Sequence, residues 1–203
     1  MKFFSILVLV VLVFAGLANA SITPVFVGPV VTIGANDYQY NYTASVDPSE
    51  QLAPGNYQNC LSGAACGTFF TIYDFQGYSP GTVSAPTNWG ATVQLTGSTP
   101  NVNGCCNPPD SSAVENLVFM YTGSTVQIGT GTPIAGFSAQ SVYGTASSAG
   151  AGLFSYQAQK ITGTPDAGVG NLAVPVGVPE PTSMVLIGGG LIGLAFLRRK
   201  LAR

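Results

Sequence analysis

The sequence predicts an all-β protein, an antiparallel β-sandwich of about eight strands set between two hydrophobic ends. Between residues 21 and 177 the composition favours Gly, Ser, Thr, Asn, Ala and aromatic residues, which suits short strands joined by tight turns. Residues 38–46 alternate apolar and polar side chains, which is the period of a half-buried strand. No stretch of about ten residues in this part carries a helical stripe of apolar side chains. A closed barrel is the alternative architecture.

The chain begins with a predicted secretory signal peptide at residues 1–20. Lys2 precedes an apolar run over residues 3–17, and Ala18-Asn19-Ala20 then supplies the small residues that signal peptidase accepts. The run is short for a membrane anchor, which is the alternative interpretation. We therefore expect cleavage after Ala20 and a mature protein that begins at Ser21.

The predicted body, residues 21–162, contains all the expected strands. An irregular lead through Pro24 and Pro29 is followed by a short strand near residues 30–33. The next strands are predicted at residues 38–46, 68–75, 89–95, 114–121, 125–128, 138–143 and 153–161. The turn at 122–124 predicts a hairpin between the two strands that flank it. Residues 163–177, rich in Gly and Pro, are interpreted as a linker that separates the sandwich from the membrane.

The charge of the body excludes two classes of partner. Between residues 21 and 178 one cation, Lys160, stands against seven acidic residues, which leaves a net charge of −6. Nucleic acids and anionic membrane surfaces are bound through clustered Lys and Arg side chains, and the body has none. We therefore expect neither to be a partner of the body.

The last segment, residues 178–203, has three parts in a fixed order. The prolines of Pro179-Glu180-Pro181 hold an extended segment that cannot begin a helix before Pro181. The apolar run at 184–197 is predicted to be a single transmembrane helix, and Arg198, Arg199 and Lys200 would keep its end on the cytoplasmic side. Because 14 residues are fewer than the roughly 20 that span a bilayer, a buried core helix is the alternative.

This order of tripeptide, apolar segment and basic end closely resembles the PEP-CTERM sorting signal of exported proteins from Gram-negative bacteria. The resemblance covers residues 178–200, about an eighth of the chain. It implies recognition by exosortase, an integral-membrane processing enzyme that cuts at or near Pro179-Glu180-Pro181. It also implies a route in which the protein is anchored in the inner membrane in transit and then reaches the cell surface or extracellular matrix. The body is similar to the β-rich domains that often precede this signal.

The four cysteines are predicted to form disulfides, since export places them in an oxidising compartment. Cys60 and Cys66 lie in one predicted loop, and Cys105 and Cys106 lie in another. Of the three possible connectivities we favour two bridges between the loops, each closing about 40 residues and stabilising the fold by roughly 3–4 kcal/mol. A zinc site built from four thiolates is the alternative, but the paired C-x-x-C spacing of such sites is absent.

The sequence contains little that supports catalysis. It has no histidine, which removes Ser-His and Cys-His nucleophiles, and it has no Gly-rich phosphate loop after a strand. Two carboxylates acting as a glycosidase pair are the alternative. We expect no enzymatic activity and no cofactor. Calcium would require acids such as Asp37, Asp47 and Asp74 to meet at one end of the sandwich.

Two classes of function remain for the body. The first is a non-enzymatic surface or extracellular-matrix protein that is processed by signal peptidase and exosortase. Its expected partner outside the cell is extracellular polysaccharide. The second is a carbohydrate-binding module in which exposed aromatic side chains stack on a sugar, with Trp89, Tyr57 and Tyr78 as candidates.

Overall fold

A computed structural model describes residues 22–55, 66–97, 100, 108–148 and 151–177. These residues form ten strands and no helix, which confirms the all-β prediction. The strands are β1 (Ile22–Gly34), β2 (Asp37–Val46), β3 (Glu50–Leu52), β4 (Phe69–Ile72), β5 (Trp89–Gln94), β6 (Asn116–Tyr121), β7 (Gln127–Ile128), β8 (Ile134–Ser141), β9 (Gly152–Lys160) and β10 (Pro165–Leu172). The predicted signal peptide and C-terminal helix lie outside the described residues.

The strands form two antiparallel sheets. The small sheet has the order β1-β2-β8, and the large sheet has the order β5-β6-β4-β9-β3-β7, with β10 paired to β9. The buried faces of both sheets contribute to one hydrophobic core, as in a β-sandwich. The small sheet contributes Tyr40, Tyr42, Ala44, Phe137 and Ala139, and the large sheet contributes Phe70, Ile72, Leu117, Phe119, Tyr121, Phe154, Tyr156 and Ala158.

The strands with the clearest sequence patterns form where they were predicted. In β2 the alternation places Tyr40, Tyr42 and Ala44 in the core, whereas Gln39 and Asn41 point away and hydrogen-bond to each other at 2.8 Å. All six residues of β6 are buried, because Leu117, Phe119 and Tyr121 face the main core while Val118 and Met120 pack with Cys66 and Phe69 on the other face. Continuous apolar runs are typical of such central strands.

The predicted irregular lead is wrong, because β1 is a 13-residue strand. It pairs with β2 alone and is an edge strand of the small sheet. Prolines are tolerated in edge strands, because no neighbouring strand on the open side needs the N–H groups that Pro24 and Pro29 lack. Pro29 falls in a register irregularity between Val27 and Val31, where the strand bulges.

The predicted hairpin after β6 is also wrong. The second strand, β7, pairs with β3 and makes no pair with β6. The short strand β3 is not among the predicted strands. β3 and β4 lie end to end along β9: Gln51 is opposite Gln159, and Phe69 is opposite Gln157. Their joined ends are held by Thr68 N donating to Ala53 O at 2.9 Å.

The predicted linker at 163–177 belongs to the body instead. Most of it forms β10, which pairs with β9 over its whole length. Leu172 and Val174 are 4% exposed and belong to the core, and the hydroxyl of Tyr42 donates to Ala173 O at 3.2 Å. The glycines that suggested a linker allow close packing: a Cβ on Gly170 would lie 2.5 Å from the ring of Phe154.

Candidate functional site

The aromatic residues proposed for sugar stacking do not form an exposed surface in the part of the chain that the structure describes. Trp89 is 8% exposed, and its ring lies 5.2 Å from Phe137 and 5.8 Å from Tyr121, centroid to centroid. Tyr78 is half-buried against Phe75. Tyr57 lies outside the described residues. The interpretation of Trp89 as an exposed binding residue is therefore wrong, because the indole is needed to fill the core.

The acidic residues proposed for calcium are not brought together. Asp47 accepts hydrogen bonds from the backbone N and the hydroxyl of Ser49, at 2.9 and 2.7 Å, and the backbone bond lowers the pKa of Asp47. Asp74 instead accepts from Ser111 N at 3.1 Å. Among the described residues, no group of three or more acidic or thiol side chains is placed to hold a metal ion.

One of the four cysteines can be located. Cys66 is buried at 1% exposure and packs with Phe69, Val118 and Met120. Cys60, Cys105 and Cys106 lie outside the described residues. The pairing between the two loops therefore stays a prediction.

The structure does assemble a cluster of ionisable side chains that sequence reasoning missed, and we call it the Glu50 cluster: Glu50, Tyr156, Lys160 and Asp166. Strand register explains why they meet. Glu50 on β3 is opposite Lys160 on β9, and Asp166 on β10 is opposite Ala158. Since side chains two residues apart on a strand share a face, all four project from the core-facing side of the large sheet. Lys160 Nζ lies 3.6 Å from Asp166 Oδ1.

Glu50 is the unusual member of this cluster. It is 0% exposed, and neither carboxylate oxygen has a hydrogen-bond partner. Its neighbour Asp166 is also a carboxylate. Two ionised carboxylates cannot hydrogen-bond to each other, because both only accept. Burial raises the pKa of Glu50 to about 7; the negative charge of Asp166 adds to this effect, and the positive charge of Lys160 opposes it. Perturbed carboxylates of this kind concentrate at functional sites.

A cavity of about 410 Å³ adjoins the cluster. Its walls come from the start of β1 and from β9 and β10, and they include Ile22, Thr23, Phe154, Tyr156 and Asp166. Burial raises the pKa of Tyr156 to about 12, and the negative charges of Asp166 and Glu50 contribute to this rise. The hydroxyl of Tyr156 therefore stays protonated at neutral pH. Among the groups that line the cavity are one carboxylate, that of Asp166, and the hydroxyl of Tyr156, which could meet a cationic or hydrogen-bonding group.

The raised pKa of Glu50 predicts how the stability of the body depends on pH. Because the folded-state pKa of about 7 exceeds the ordinary value of 4.5, the folded state binds the proton more tightly. Stability is then highest below pH 4.5 and falls as the pH rises to about 7. In the full chain, Glu50→Gln should remove this loss and raise the free energy of unfolding at pH 8 by about 1–2 kcal/mol. This is less than the shift alone implies, because water screens the cluster.

Thermal unfolding of the full chain in detergent, at pH 5 and pH 8, checks this expectation. Trp89 is the only tryptophan and is buried, so its fluorescence reports unfolding of the body. Glu115→Gln is the matched control, since Glu115 precedes β6 near the opposite end of the large sheet. Equal pH dependence in the wild type and Glu50→Gln would contradict the raised pKa.

The body holds the chain in place up to its last described residue. Val176 N donates to Thr145 O at 2.9 Å, and Gly177 N donates to the side-chain Oε1 of Gln76 at 2.9 Å. The C-terminal segment therefore leaves from a defined point on the body, two residues before Pro179.

A family model of the PEP-CTERM protein-sorting motif matches residues 177–200. The chain carries a PEP-CTERM sorting signal. The match includes Pro179, Glu180 and Pro181 and extends to Arg198, Arg199 and Lys200, and it confirms the resemblance identified in the sequence. Comparison with curated proteins and with solved structures gave no significant match.

The PEP-CTERM signal supports an exported surface protein that is sorted through exosortase. The residues of the signal after Gly177 lie outside the described residues, as do Ala18 and Ala20 at the predicted signal-peptide cleavage site. Within the described ranges, no helix is long and apolar enough to cross a membrane.

Proposed function

We propose that this PEP-CTERM protein is a non-enzymatic component of the cell surface or extracellular matrix. Signal peptidase removes residues 1–20, the apolar segment at 184–197 holds the protein in the inner membrane in transit, and an exosortase-type enzyme then processes the Pro-Glu-Pro handle. The observation that carries the proposal is the match of residues 177–200 to the sorting motif, which begins at Gly177, the last described residue of the body.

Two observations support a non-enzymatic body. The chain has no histidine, and the most perturbed carboxylate, Glu50, is 0% exposed. A glycosidase needs two carboxylates that both reach the scissile bond, and no substrate oxygen can reach Glu50. Of the Glu50 cluster, only the carboxylate of Asp166, whose side chain is 21% exposed, would be left to meet a substrate.

The composition of the body suits a structural role outside the cell. Its net charge of −6 opposes adhesion to anionic membrane surfaces. The alternative, a carbohydrate-binding module, has lost its main support because Trp89 is part of the core. We expect the purified protein to bind no saccharide on a glycan array.

The role of the tail is tested in the native host with a C-terminal tag and cell fractionation. Wild-type protein should reach the surface without the tag. Changing Glu180 to Ala should leave membrane insertion intact but block processing, so that tagged protein accumulates in the inner membrane. Changing Arg198, Arg199 and Lys200 together to Gln should let the short apolar segment pass through the membrane, since no charge barrier would remain.

Glu115→Ala is the matched control for Glu180→Ala, because it removes a carboxylate from the body and leaves the sorting motif unchanged. It should be sorted like the wild type. A tag that stays attached to surface-localised wild-type protein would show that the tail is a permanent anchor and would contradict the proposal.

A further inference from the structure

The two edges of the small sheet differ in how they are covered. The edge formed by β8 is covered by an earlier segment of the chain: Ser84 and Ser138 exchange backbone hydrogen bonds at 2.8 and 3.0 Å, and Ser79 N donates to Gln140 O at 2.9 Å. At the other edge, β1 pairs with β2 alone among the described strands. An edge strand without a second neighbour is a surface on which another strand can pair.

The outward side chains of β1 form an apolar stripe along this open edge. They are between 43 and 49% exposed, and they are Val25, Val27, Val31 and Ile33. Residues 22–36 carry no charged side chain, whereas the body as a whole has a net charge of −6. Natural proteins commonly place charged side chains on open edges to prevent pairing. A second acidic copy of the body therefore meets the least repulsion at this edge.

The register identifies the backbone groups that face the open side of β1. Val46 O accepts from Gly131 N, just before β8, at 2.8 Å, so the backbone groups of Val46 point towards β8. Because their direction alternates along a strand, the backbone groups of Tyr42 also point towards β8. Phe26, the partner of Tyr42 in β1, therefore presents its N–H and C=O to the open side. Pro24 points the same way but can only accept.

A second copy of β1 fits this edge in an antiparallel register centred on Phe26. The two Phe26 residues then exchange both of their backbone hydrogen bonds. Val25 of each copy lies directly opposite Val27 of the other, because the arrangement is symmetric. Apolar side chains that are directly opposite on one face stabilise paired strands. The cavity beside Ile22 and Thr23 leaves space at the start of β1 for the added strand.

The irregularity in β1 between Val27 and Val31 limits the paired stretch to about residues 22–30. Such a stretch is roughly 30 Å long, and a sheet is about 10 Å thick, so each copy would cover about 300 Å². A standard interface covers roughly 800 Å² per partner. The pairing is therefore weak, and it becomes populated where many copies are held at one surface. It stops at two copies, because it uses the open edge of both.

We propose that β1 is a self-association surface at which two copies of the body pair antiparallel about Phe26. The pairing joins two three-stranded small sheets into one sheet of six strands. The inference goes beyond the sorting function and does not rest on it.

The test places a photo-crosslinking amino acid at Val31 of the full chain in the native host. Val31 is 44% exposed, so the probe leaves the core unchanged. Irradiation of whole cells should give an adduct of twice the mass of the chain, in which peptide mapping finds two β1 peptides joined. One copy contains a single β1, so this adduct forms only between copies. A probe at Leu95, which is 54% exposed and follows β5 at an edge of the large sheet, is the matched control and should give no such adduct.

Charge substitutions in the chain with the Val31 probe test the register. Val25→Lys together with Val27→Lys places like charges directly opposite each other and should reduce the yield of the adduct about tenfold. Val25→Lys together with Val27→Glu places opposite charges in the same two pairs and should restore the yield. Both double variants replace exposed side chains, so the midpoint of urea unfolding should stay close to that of the wild type.

An adduct that joins β1 to a different protein, or the absence of any adduct, would overturn the proposal. Equal yields from the two double variants would also overturn it, because the pairing of Val25 with Val27 is what distinguishes them. The adduct is read from the β1 peptides, whether or not the tail has been processed, whereas sorting is read from the C-terminal tag. Failure of the pairing is therefore distinguishable from failure of the sorting proposal.

Discussion

Replacing Phe137 by alanine should lower the free energy of unfolding by about 3–5 kcal/mol. Phe137 lies on β8 of the small sheet and is 0% exposed. Its ring centroid lies 5.1 Å from that of Phe70 and 5.2 Å from that of Phe119, both on the large sheet. Removing the ring would leave a cavity between the two sheets that the surrounding strands cannot fill.

Urea unfolding followed by far-ultraviolet circular dichroism measures this loss. The fluorescence of Trp89 is less suitable here, because its ring lies 5.2 Å from that of Phe137. Val25→Ala on the outer side of β1 is the control, since Val25 is 49% exposed and its truncation should change stability by less than about 0.5 kcal/mol. A loss below about 1 kcal/mol for Phe137→Ala would contradict the packing of the two sheets against each other.

Leu172→Ala should cost about 2–4 kcal/mol of stability, although Leu172 lies in the segment that the sequence predicted to be a linker. It is 4% exposed at the end of β10 and belongs to the same core as Val174. A leucine in a solvated linker would be replaced at almost no cost. The size of the loss therefore distinguishes a packed strand from a linker.

Val169→Ala is the matched control for Leu172→Ala. It truncates an aliphatic side chain on the same strand, but Val169 is 53% exposed. We expect its midpoint in urea to lie close to that of the wild type, whereas that of Leu172→Ala should be clearly lower. Equal midpoints for the two variants would show that β10 is not packed on the body.

The strands that the sequence predicted well are those whose burial follows from their own residues. The alternation in β2 reports one covered face, and the continuous apolar run of β6 reports two. Both patterns are local, so a short stretch of sequence is enough to predict each of these two strands.

The strands that were missed depend on partners far along the chain. β10 contains Pro, Asp and two glycines, and it is a strand because the long edge of β9 needs a partner. β1 contains two prolines that only an edge position tolerates, and its edge position follows from the topology. The β6–β7 hairpin was predicted from an adequate turn, but β3 offered β7 a different neighbour.

The same contrast separates the two functional regions. The sorting signal is contiguous, so the spacing of Pro179, Glu180 and Pro181 from the basic end was sufficient to recognise it. The Glu50 cluster combines β3, β9 and β10, and no spacing in the sequence indicates that Glu50 and Asp166 meet. The lone cation Lys160 was the one available signal, because a single positive charge in an acidic body is expected to have acidic neighbours.

The end-to-end arrangement of β3 and β4 has a consequence for protein engineering. The chain leaves the large sheet after Ala53 and returns at Thr68, and the exit is closed by backbone contact: a Cβ on Gly67 would lie 2.3 Å from the Gly55 Cα. Because the two ends already meet, lengthening the intervening segment places no tension on the sheet. Doubling the length of such a segment costs only about 0.6 kcal/mol in closure entropy. A foreign peptide inserted between Gly55 and Cys66, with Cys66 kept in its buried position, should be accommodated by the body, which makes this position a graft site for peptide display.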